Sequence, residues 1–349
     1  MSDNTRASGE SAVQFGRVRI GPGQPVAVIA EIGVNHEGDA DLCGTMIEAA
    51  ARADADLVKL QIMDADANYA PGTASHELFS RAWLAPEKVA GLFRYAREIG
   101  VEVFATTGDA ATLAWVDGLG PAGHKISSGL LTHLPFIGRV ARTGRPLMIS
   151  TGMAEDQEID AAIDVAQASG ARGIVLLHCT SIYPAPLETL HLAAIGRLAA
   201  RYAVPTGFSD HSIGTEAATL ATAAGATIIE KHFTLDADRT GFDHAISLEP
   251  DNFAKMVTSV RRATTARGSA IKTLSAAERV VAYASHRFLA AARDLAPDDR
   301  IAEEDIAFLR LPSDAPRGFL PSDFDRVLGR RVLRKISQRS AILSEDIDG

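Results

Sequence analysis

The sequence predicts an α/β protein, a (β/α)8 barrel followed by a small, mainly β domain. Short β-rich runs recur along the chain at residues 26–32, 57–61, 102–106, 125–127, 147–151, 174–179, 206–209 and 227–232. Stretches rich in Ala, Leu, Glu and Arg with helical spacing lie between them, at 42–53, 87–99, 159–168 and 216–224. Strand alternating with helix reads as a parallel sheet, and this many repeats read as a closed one. The predicted strands also carry their polar residues at one end: Glu31, Lys59, Gln61, Thr106, Lys125, Ser127, Ser128, Ser150, Thr151, His178, Ser209, His211, Glu230 and His232. That is the C-terminal end, where the βα loops open and barrel enzymes build their sites.

The last two strands are the most informative. Ser209 and His211 stand two residues apart, as do Glu230 and His232. Period two puts each pair on one face of its strand, so both pairs point into one space. Two imidazoles with carboxylates nearby are metal-ligand chemistry, suited to Mn, Fe, Co or Zn better than to Mg alone. The competing reading makes each His a packed core residue. Two consecutive strands with the same ending favour the site.

Length and composition set the outer limits. At 349 residues the chain is long for one barrel, which predicts a second small unit. A hydrophobic fraction of 46% and a charged fraction of 23% are those of a globular protein in water. The formal net charge of −9 speaks against a broad nucleic-acid surface, which needs basic patches. Two cysteines, Cys43 and Cys179, exclude a disulfide framework and suit reduced thiols in the cytoplasm, the expected location. No apolar run approaches the ~20 residues of a membrane helix, so no membrane partner is expected. The expected organisation is a flexible tail over 1–13, a barrel over 14–268 ending in a helix at 253–267, a linker over 269–282, and a small arginine-rich domain over 283–349. Brief strands and turns are expected in that domain at 288–290, 297–299, 309–312, 318–321 and 327–332.

Ordered motifs along nearly the whole chain carry a resemblance. They are Ala30-Glu31-Ile32-Gly33-Val34-Asn35-His36-Glu37-Gly38-Asp39, Lys59-Leu60-Gln61, Lys125-Ile126-Ser127-Ser128-Gly129 and Ser150-Thr151-Gly152-Met153. Further on come Leu177-His178-Cys179-Thr180-Ser181-Ile182-Tyr183-Pro184, Ser209-Asp210-His211, Glu230-Lys231-His232-Phe233 and Gly241-Phe242-Asp243-His244. With them the chain resembles the sialic acid synthase family, legionaminic and pseudaminic acid synthases included. The final segment resembles the antifreeze-like (SAF) domain of these synthases, which in the family reaches over the partner subunit's barrel. A domain-swapped homodimer is therefore implied.

The resemblance implies condensation of phosphoenolpyruvate with an open-chain N-acylated hexose, with C–O cleavage and release of phosphate. Phosphoenolpyruvate needs cations and donors converging from several strands: Lys59 and Lys125 supply charge, while Thr106, Ser128, Ser150 and Ser209 supply hydroxyls. His211 and His232 are implied as ligands of a divalent metal, Mn²⁺ first and Mg²⁺ or Co²⁺ as alternatives. Glu31 and Glu230 are implied in the water and proton transfers, and Gln61, Tyr183, Ser181, Asp243 and Arg310 in contacts to the sugar.

Simpler readings stand beside these. Lys59 also reads as a solvated rim residue, Ser150 and Thr151 as caps of a helix starting within 152–157, and Tyr183 as a loop stiffener before Pro184. His178 reads as a packed strand residue, and no spacing rule gives His36 or His244 a role. Departures from the family pattern fall on the sugar side. Ser181 stands where sialic acid-forming members show Asn, Leu130 where they show an acid, and Thr73 where they show Asn. Strand three reads Ala105-Thr106-Thr107 in place of Ser-Thr-Pro, and Leu311 occupies the place of an arginine that Arg310 or Arg317 would have to replace. The expectation is a kept reaction with a less polar acceptor than N-acetylmannosamine, a deoxy or diacetamido hexose. Two rivals remain: a Schiff-base aldolase or lyase using Lys59 or Lys125, and a non-catalytic sugar-binding relative.

Overall fold

The computed structural model describes residues 12–349, which divide into two compact units, one ending at Gly268 and the other Ser269–Gly349. The tail expected over 1–13 falls mostly outside the described residues. At its end it meets structure, because Val13 opens the strand Val13–Phe15.

The first unit is a closed parallel barrel of β1 (Ala27–Gly33), β2 (Leu57–Gln61), β3 (Glu102–Thr106), β4 (His124–Ile126), β5 (Leu147–Ser150), β6 (Ile174–Cys179), β7 (Thr206–Asp210) and β8 (Ile228–His232). β8 closes the ring on β1 with Glu230 beside Ile29 and His232 beside Glu31. Helices Ala40–Arg52, Pro86–Glu98, Ala110–Gly118, Leu134–Ala141, Asp156–Ala168, Ala194–Tyr202, Glu216–Ala223 and Pro250–Arg267 follow the eight strands in turn. Each is built as its sequence dictates. Ala40–Arg52, for example, starts on the Asp39 carboxylate, which accepts from the amides of Asp41 and Leu42, and buries Cys43, Met46, Ile47 and Ala50 on one stripe.

Alternation along the strands sorts the core into two layers. Val28, Ala30, Ile32, Val58, Leu60 and Val103 pack outward against the helices. Ala27, Ile29, Leu57, Phe104, Met148, Val175, Leu177 and Ile228 fill the barrel with Val13, Phe15 and Ile20. The last three come from a hairpin, Val13–Phe15 paired antiparallel with Val18–Ile20, which plugs the N-terminal mouth. Phe15 is fully buried, edge-on to Phe104 with ring centroids 5.7 Å apart. Gly123 makes room for it, since a Cβ there would come within 2.3 Å of the Phe15 ring. The floor of the barrel is thus packed by apolar groups, and its buried polar residues lie at the opposite end.

In the second unit Phe288–Ala291 pairs antiparallel with Ile306–Leu309. Leu289, Leu295, Ile301, Ile306, Val332, Ile336 and Ile342 form its core. Several expectations change here. The linker region 269–282 contains most of the helix Ala276–Ser285, started by a reciprocal Ser275–Glu278 capping box. The strand expected over 309–312 lies earlier, at Ile306–Leu309, and 318–321 forms none. Residues 327–332 follow a short helix, Phe324–Val327, and pair only through isolated bridges such as Val332 with Ile347. A chain that turns every few residues pairs residue by residue, so no period-two run records the contacts.

Candidate active site

The strands deliver a buried cluster of four charged side chains to the open end of the barrel. Glu31, Lys59, Lys125 and Glu230 are each at most 3% exposed. Lys125 Nζ donates to both Glu230 oxygens, at 2.9 and 3.0 Å. Lys59 Nζ sits 3.1 Å from Glu31 Oε2 and 3.2 Å from Glu230 Oε2. Gln61 Nε2 donates to Glu31 Oε1 at 2.8 Å, and Ser209 Oγ donates to Glu230 Oε1 at 2.9 Å. A bulge between Glu31 and Gly33 ends β1, and Gly33 at φ +58° lets the chain turn just above the Glu31 carboxylate.

Burial splits the cluster into unlike partners. Glu31 is pushed above the ordinary carboxylate range by burial, and by the charge of Glu230. Burial also disfavours the Glu230 anion, but Lys125 and Lys59 outweigh it and hold that carboxylate well below the usual range. Lys125 is lowered to about 8, by burial and the charge of Lys59 against the pull of Glu230. Lys59 is buried as deeply, yet Glu230 and Glu31 keep it raised. Two carboxylates with divergent affinities for a proton, beside two cations, have the chemistry of an acid–base pair next to an anion site.

His211 and His232 stand beside this cluster, ring centroids 5.4 Å apart, with the Tyr183 ring 4.2 Å from His211 and 6.2 Å from His232. His211 Nδ1 donates to the Thr180 carbonyl at 2.8 Å, which fixes the tautomer and leaves Nε2 as an acceptor. His232 Nδ1 is buried without a hydrogen-bond partner, 3.5 Å from Asp243 Oδ2. Burial above all holds that imidazole neutral. Two oriented imidazoles, one with an unpartnered buried nitrogen, fit a divalent metal of the manganese–cobalt class. Among the described residues no cluster of three or more His, Cys, Asp or Glu is placed to hold an ion. Two protein ligands would leave the remaining positions to water and substrate, as catalytic centres require.

Around these groups lies a cavity of about 280 Å³ whose walls include Gln61, Ser128, Ser150, Ser181, Tyr183, Ser209, His211 and His232. Ser150 Oγ and Thr106 Oγ1 are buried and unpartnered, so two hydroxyls remain to be satisfied. The capping role for Ser150 and Thr151 is corrected. The helix begins at Asp156 with Glu155 as its cap, and Thr151 Oγ1 donates to the Leu177 carbonyl at 3.2 Å. His178 packs outward as expected, Nε2 against the Leu190 carbonyl at 2.6 Å. Lys59 is no rim residue. Arg310 lies exposed in the second unit, just after Ile306–Leu309, and Arg317 stacks over the rings of Tyr283 and Phe288 at 4.4 and 5.1 Å.

Sequence reasoning missed three features. Cys179 lines the cavity, 3.4 Å from Ser128 Oγ and 3.9 Å from His211 Nδ1. Its place two residues after Leu177 in β6, on the face opposite His178, was the available signal. Tyr69 and Phe79 form a stacked aromatic wall with centroids 5.1 Å apart, carried by short helices inserted after β2. Asn35, fully buried, ties the loop after β1 to the loop after β8.

Comparison with known proteins accords with this geometry. The NeuB family model matches residues 46–272. The chain belongs to the NeuB family. The SAF domain model matches residues 286–347, which assigns the second unit. An N,N'-diacetyllegionaminic acid synthase of Legionella pneumophila is 35% identical, over 92% of this chain and 94% of its own. The spore coat polysaccharide biosynthesis protein SpsE of Bacillus subtilis is 34% identical over 97% of both. Among solved structures, an N-acetylneuraminic acid synthetase of Leptospira borgpetersenii, crystallised with citrate, shares 32% identity and a TM-score of 0.75, over 78% of this chain and 95% of its own. By name these relatives are a legionaminic acid synthase, a spore coat polysaccharide biosynthesis protein and an N-acetylneuraminic acid synthetase. No helix among the described residues is long and apolar enough to cross a membrane.

Proposed function

We propose that this chain is a phosphoenolpyruvate-dependent nonulosonic acid synthase. It condenses phosphoenolpyruvate with an open-chain N-acylated hexose to give a 2-keto-3-deoxy acid and phosphate. The observation that carries this is the buried pairing of Lys59 and Lys125 with two glutamates of opposite proton affinity, beside His211 and His232.

The lysines receive the phosphate and carboxylate of phosphoenolpyruvate, displacing the glutamates that now neutralise them; Ser150 and Thr106 offer their unpartnered hydroxyls. C3 of the enol then bonds to the aldehyde carbon, and the enol's electron pair leaves C2 electron-poor. Glu230, ionised in the free enzyme and a stronger base once the lysines turn to the substrate, takes a proton from the water that adds at C2. Glu31, whose proton is held more tightly, delivers one to an oxygen of the reacting pair. The C–O bond to phosphate breaks, the departing phosphate takes the proton of the C2 hydroxyl, and C2 becomes the keto group. A divalent metal on His211 and His232, manganese first and magnesium or cobalt as alternatives, would supply Lewis acidity to the acceptor aldehyde. By the same reading the SAF domain completes the pocket of a partner in a homodimer.

One wall of the site is aromatic, formed by Tyr69 and Phe79. Leu130, Tyr69 and Phe242 each pack against a buried apolar cluster that includes Met63 and Phe79, and the Thr73 hydroxyl is spent locally, accepting from the His76 amide and donating to the Ala70 carbonyl. Such a wall suits a diacetamido-trideoxyhexose better than N-acetylmannosamine, in keeping with the Legionella pneumophila relative. The test is phosphate release from phosphoenolpyruvate with N-acetylmannosamine, a 2,4-diacetamido-trideoxyhexose and neutral aldoses, each with Mn²⁺ and with chelator. Chelator-sensitive release favouring the diacetamido sugar is expected. Equal turnover of N-acetylmannosamine would remove the acceptor preference, release untouched by chelator would remove the metal, and no release with any acceptor would remove the reaction.

Lys125 adds a pH signature. Its charge in the free enzyme is lost as pH rises through about 8, so kcat/KM for phosphoenolpyruvate should fall about tenfold per pH unit above that point. Bound phosphate favours the ammonium, so kcat itself should fall only at higher pH. The weakened basicity of Lys125 is also what a Schiff-base aldolase would use. Borohydride treatment with pyruvate or phosphoenolpyruvate should leave the protein mass unchanged, whereas a trapped adduct on Lys125 would favour the aldolase.

A further inference from the structure

Outside the reacting groups, a polar network joins the loop after β1 to the loop after β8. Asn35 uses three of its side-chain bonds there. Its Nδ2 donates to the Phe233 carbonyl at 3.0 Å and to Ser247 Oγ at 2.9 Å, and its Oδ1 accepts from the Asp243 amide at 2.9 Å. Ser247 Oγ in turn donates to the Asp243 carbonyl at 2.6 Å. The backbone of Asp243 is thus held at both its amide and its carbonyl.

A second tie sits one turn away. Glu37 Oε1 accepts from Arg239 at 2.7 Å and from His244 Nε2 at 3.1 Å. His244 is 1% exposed, and its Nδ1 meets Thr234 Oγ1 at 2.8 Å. Both ends of this tie pass through left-handed backbone at non-glycine residues, Glu37 at φ +55° and Phe242 at φ +48°. Such conformations persist where surrounding bonds over-determine them. Between the two ties stands Asp243, whose carboxylate faces His232 at 3.5 Å.

We infer that Glu37, with Asn35 and His244, is a positioning device that fixes Asp243 over the acceptor end of the site. It rests on the synthase reading above, in which Asp243 meets the sugar. Glu37 bonds to Arg239 and His244, so it acts through the loop it holds, and a misplacement of about 1 Å at a reacting geometry can cost up to 10²-fold.

The test uses the full-length protein with Glu37→Gly and Glu37→Gln. Glycine adopts φ +55° freely, so the first variant removes the carboxylate and relieves the backbone rather than straining it. Two readouts are taken: amide hydrogen exchange over residues 239–247, and separate KM values for acceptor and phosphoenolpyruvate. Glu37→Gly should speed exchange over 239–247 and raise the acceptor KM about tenfold, with the phosphoenolpyruvate KM within twofold of wild type. Glu37→Gln, which keeps an acceptor oxygen, should recover most of both. Unchanged exchange in Glu37→Gly overturns the interlock whatever the activity. Faster exchange with an unchanged acceptor KM, or an equal rise in both KM values, overturns the positioning of Asp243. A wild type that turns over no acceptor sinks the synthase reading and this role with it, while the exchange data still report on the interlock.

Discussion

Replacing Lys125 by methionine should lower kcat/KM for phosphoenolpyruvate by on the order of 10³-fold and destabilise the barrel by about 3–5 kcal/mol. The first effect follows from the anion site. Lys125 is one of two ammonium groups at the cavity floor, and phosphoenolpyruvate brings a phosphate and a carboxylate that need both. The second follows from burial. Lys125 and Glu230 are at most 3% exposed, so deleting the cation leaves Glu230 with Lys59 and Ser209 alone in a water-poor pocket. The two effects separate in a double variant. Lys125→Met with Glu230→Gln removes the orphaned anion and should regain most of the lost stability without regaining turnover. Thermal unfolding and phosphate release on the same three proteins check both halves. A single variant as stable as wild type would show that Lys59 alone can balance Glu230. A double variant as unstable as the single would show that volume, not charge, sets the cost.

The barrel and most of its charged site were legible because two periodicities coincide. The eight strands are apolar runs, so they stand out from the helical stretches. Their inward polar residues fall at the C-terminal ends, where period two gives pairs such as Lys59 with Gln61 and Glu230 with His232. What was not legible depends on contacts between distant segments. Nothing local to Asn35 says that its amide reaches Phe233 and Ser247, 198 and 212 residues away. The Tyr69–Phe79 wall comes from an insertion after β2 whose helices are short, and a four-residue helix such as Ala65–Asn68 has no period to read. In the SAF domain the bridges are single pairs between turns, so alternation never develops. The Ser150–Thr151 segment misled for a related reason. A capping signature was present, but the chain runs on past Gly152 and Met153 before the Glu155 cap is reached.

The other large effect lies behind the site. Asp210 and Lys231 belong to the same two strands as Ser209 and Glu230 but point the opposite way, into the layer between sheet and helices, and both side chains are fully buried. Their ion pair is 2.9 Å long. Asp210 Oδ1 also accepts from Ser212 N at 2.8 Å and Ser212 Oγ at 2.7 Å, so the pair folds back the chain that carries His211. Asp210→Ala would leave Lys231 with only the Ser212 carbonyl and an uncompensated charge, a loss of about 3–5 kcal/mol. That corresponds to a melting temperature lower by on the order of 10 °C for a domain of this size. Lys231→Met should cost less, because Asp210 would keep its two donors from Ser212. The order of the two variants is therefore the test, read by thermal unfolding. If Lys231→Met were the more damaging, the packing of the lysine stem rather than its charge would be what holds this layer. If Asp210→Ala melted like wild type, water would be reaching Lys231. The same displacement should reach the site, since Asp210 is bonded to His211 in sequence. Asp210→Ala, assayed well below its own melting temperature, should therefore lose turnover with the acceptor as well as stability.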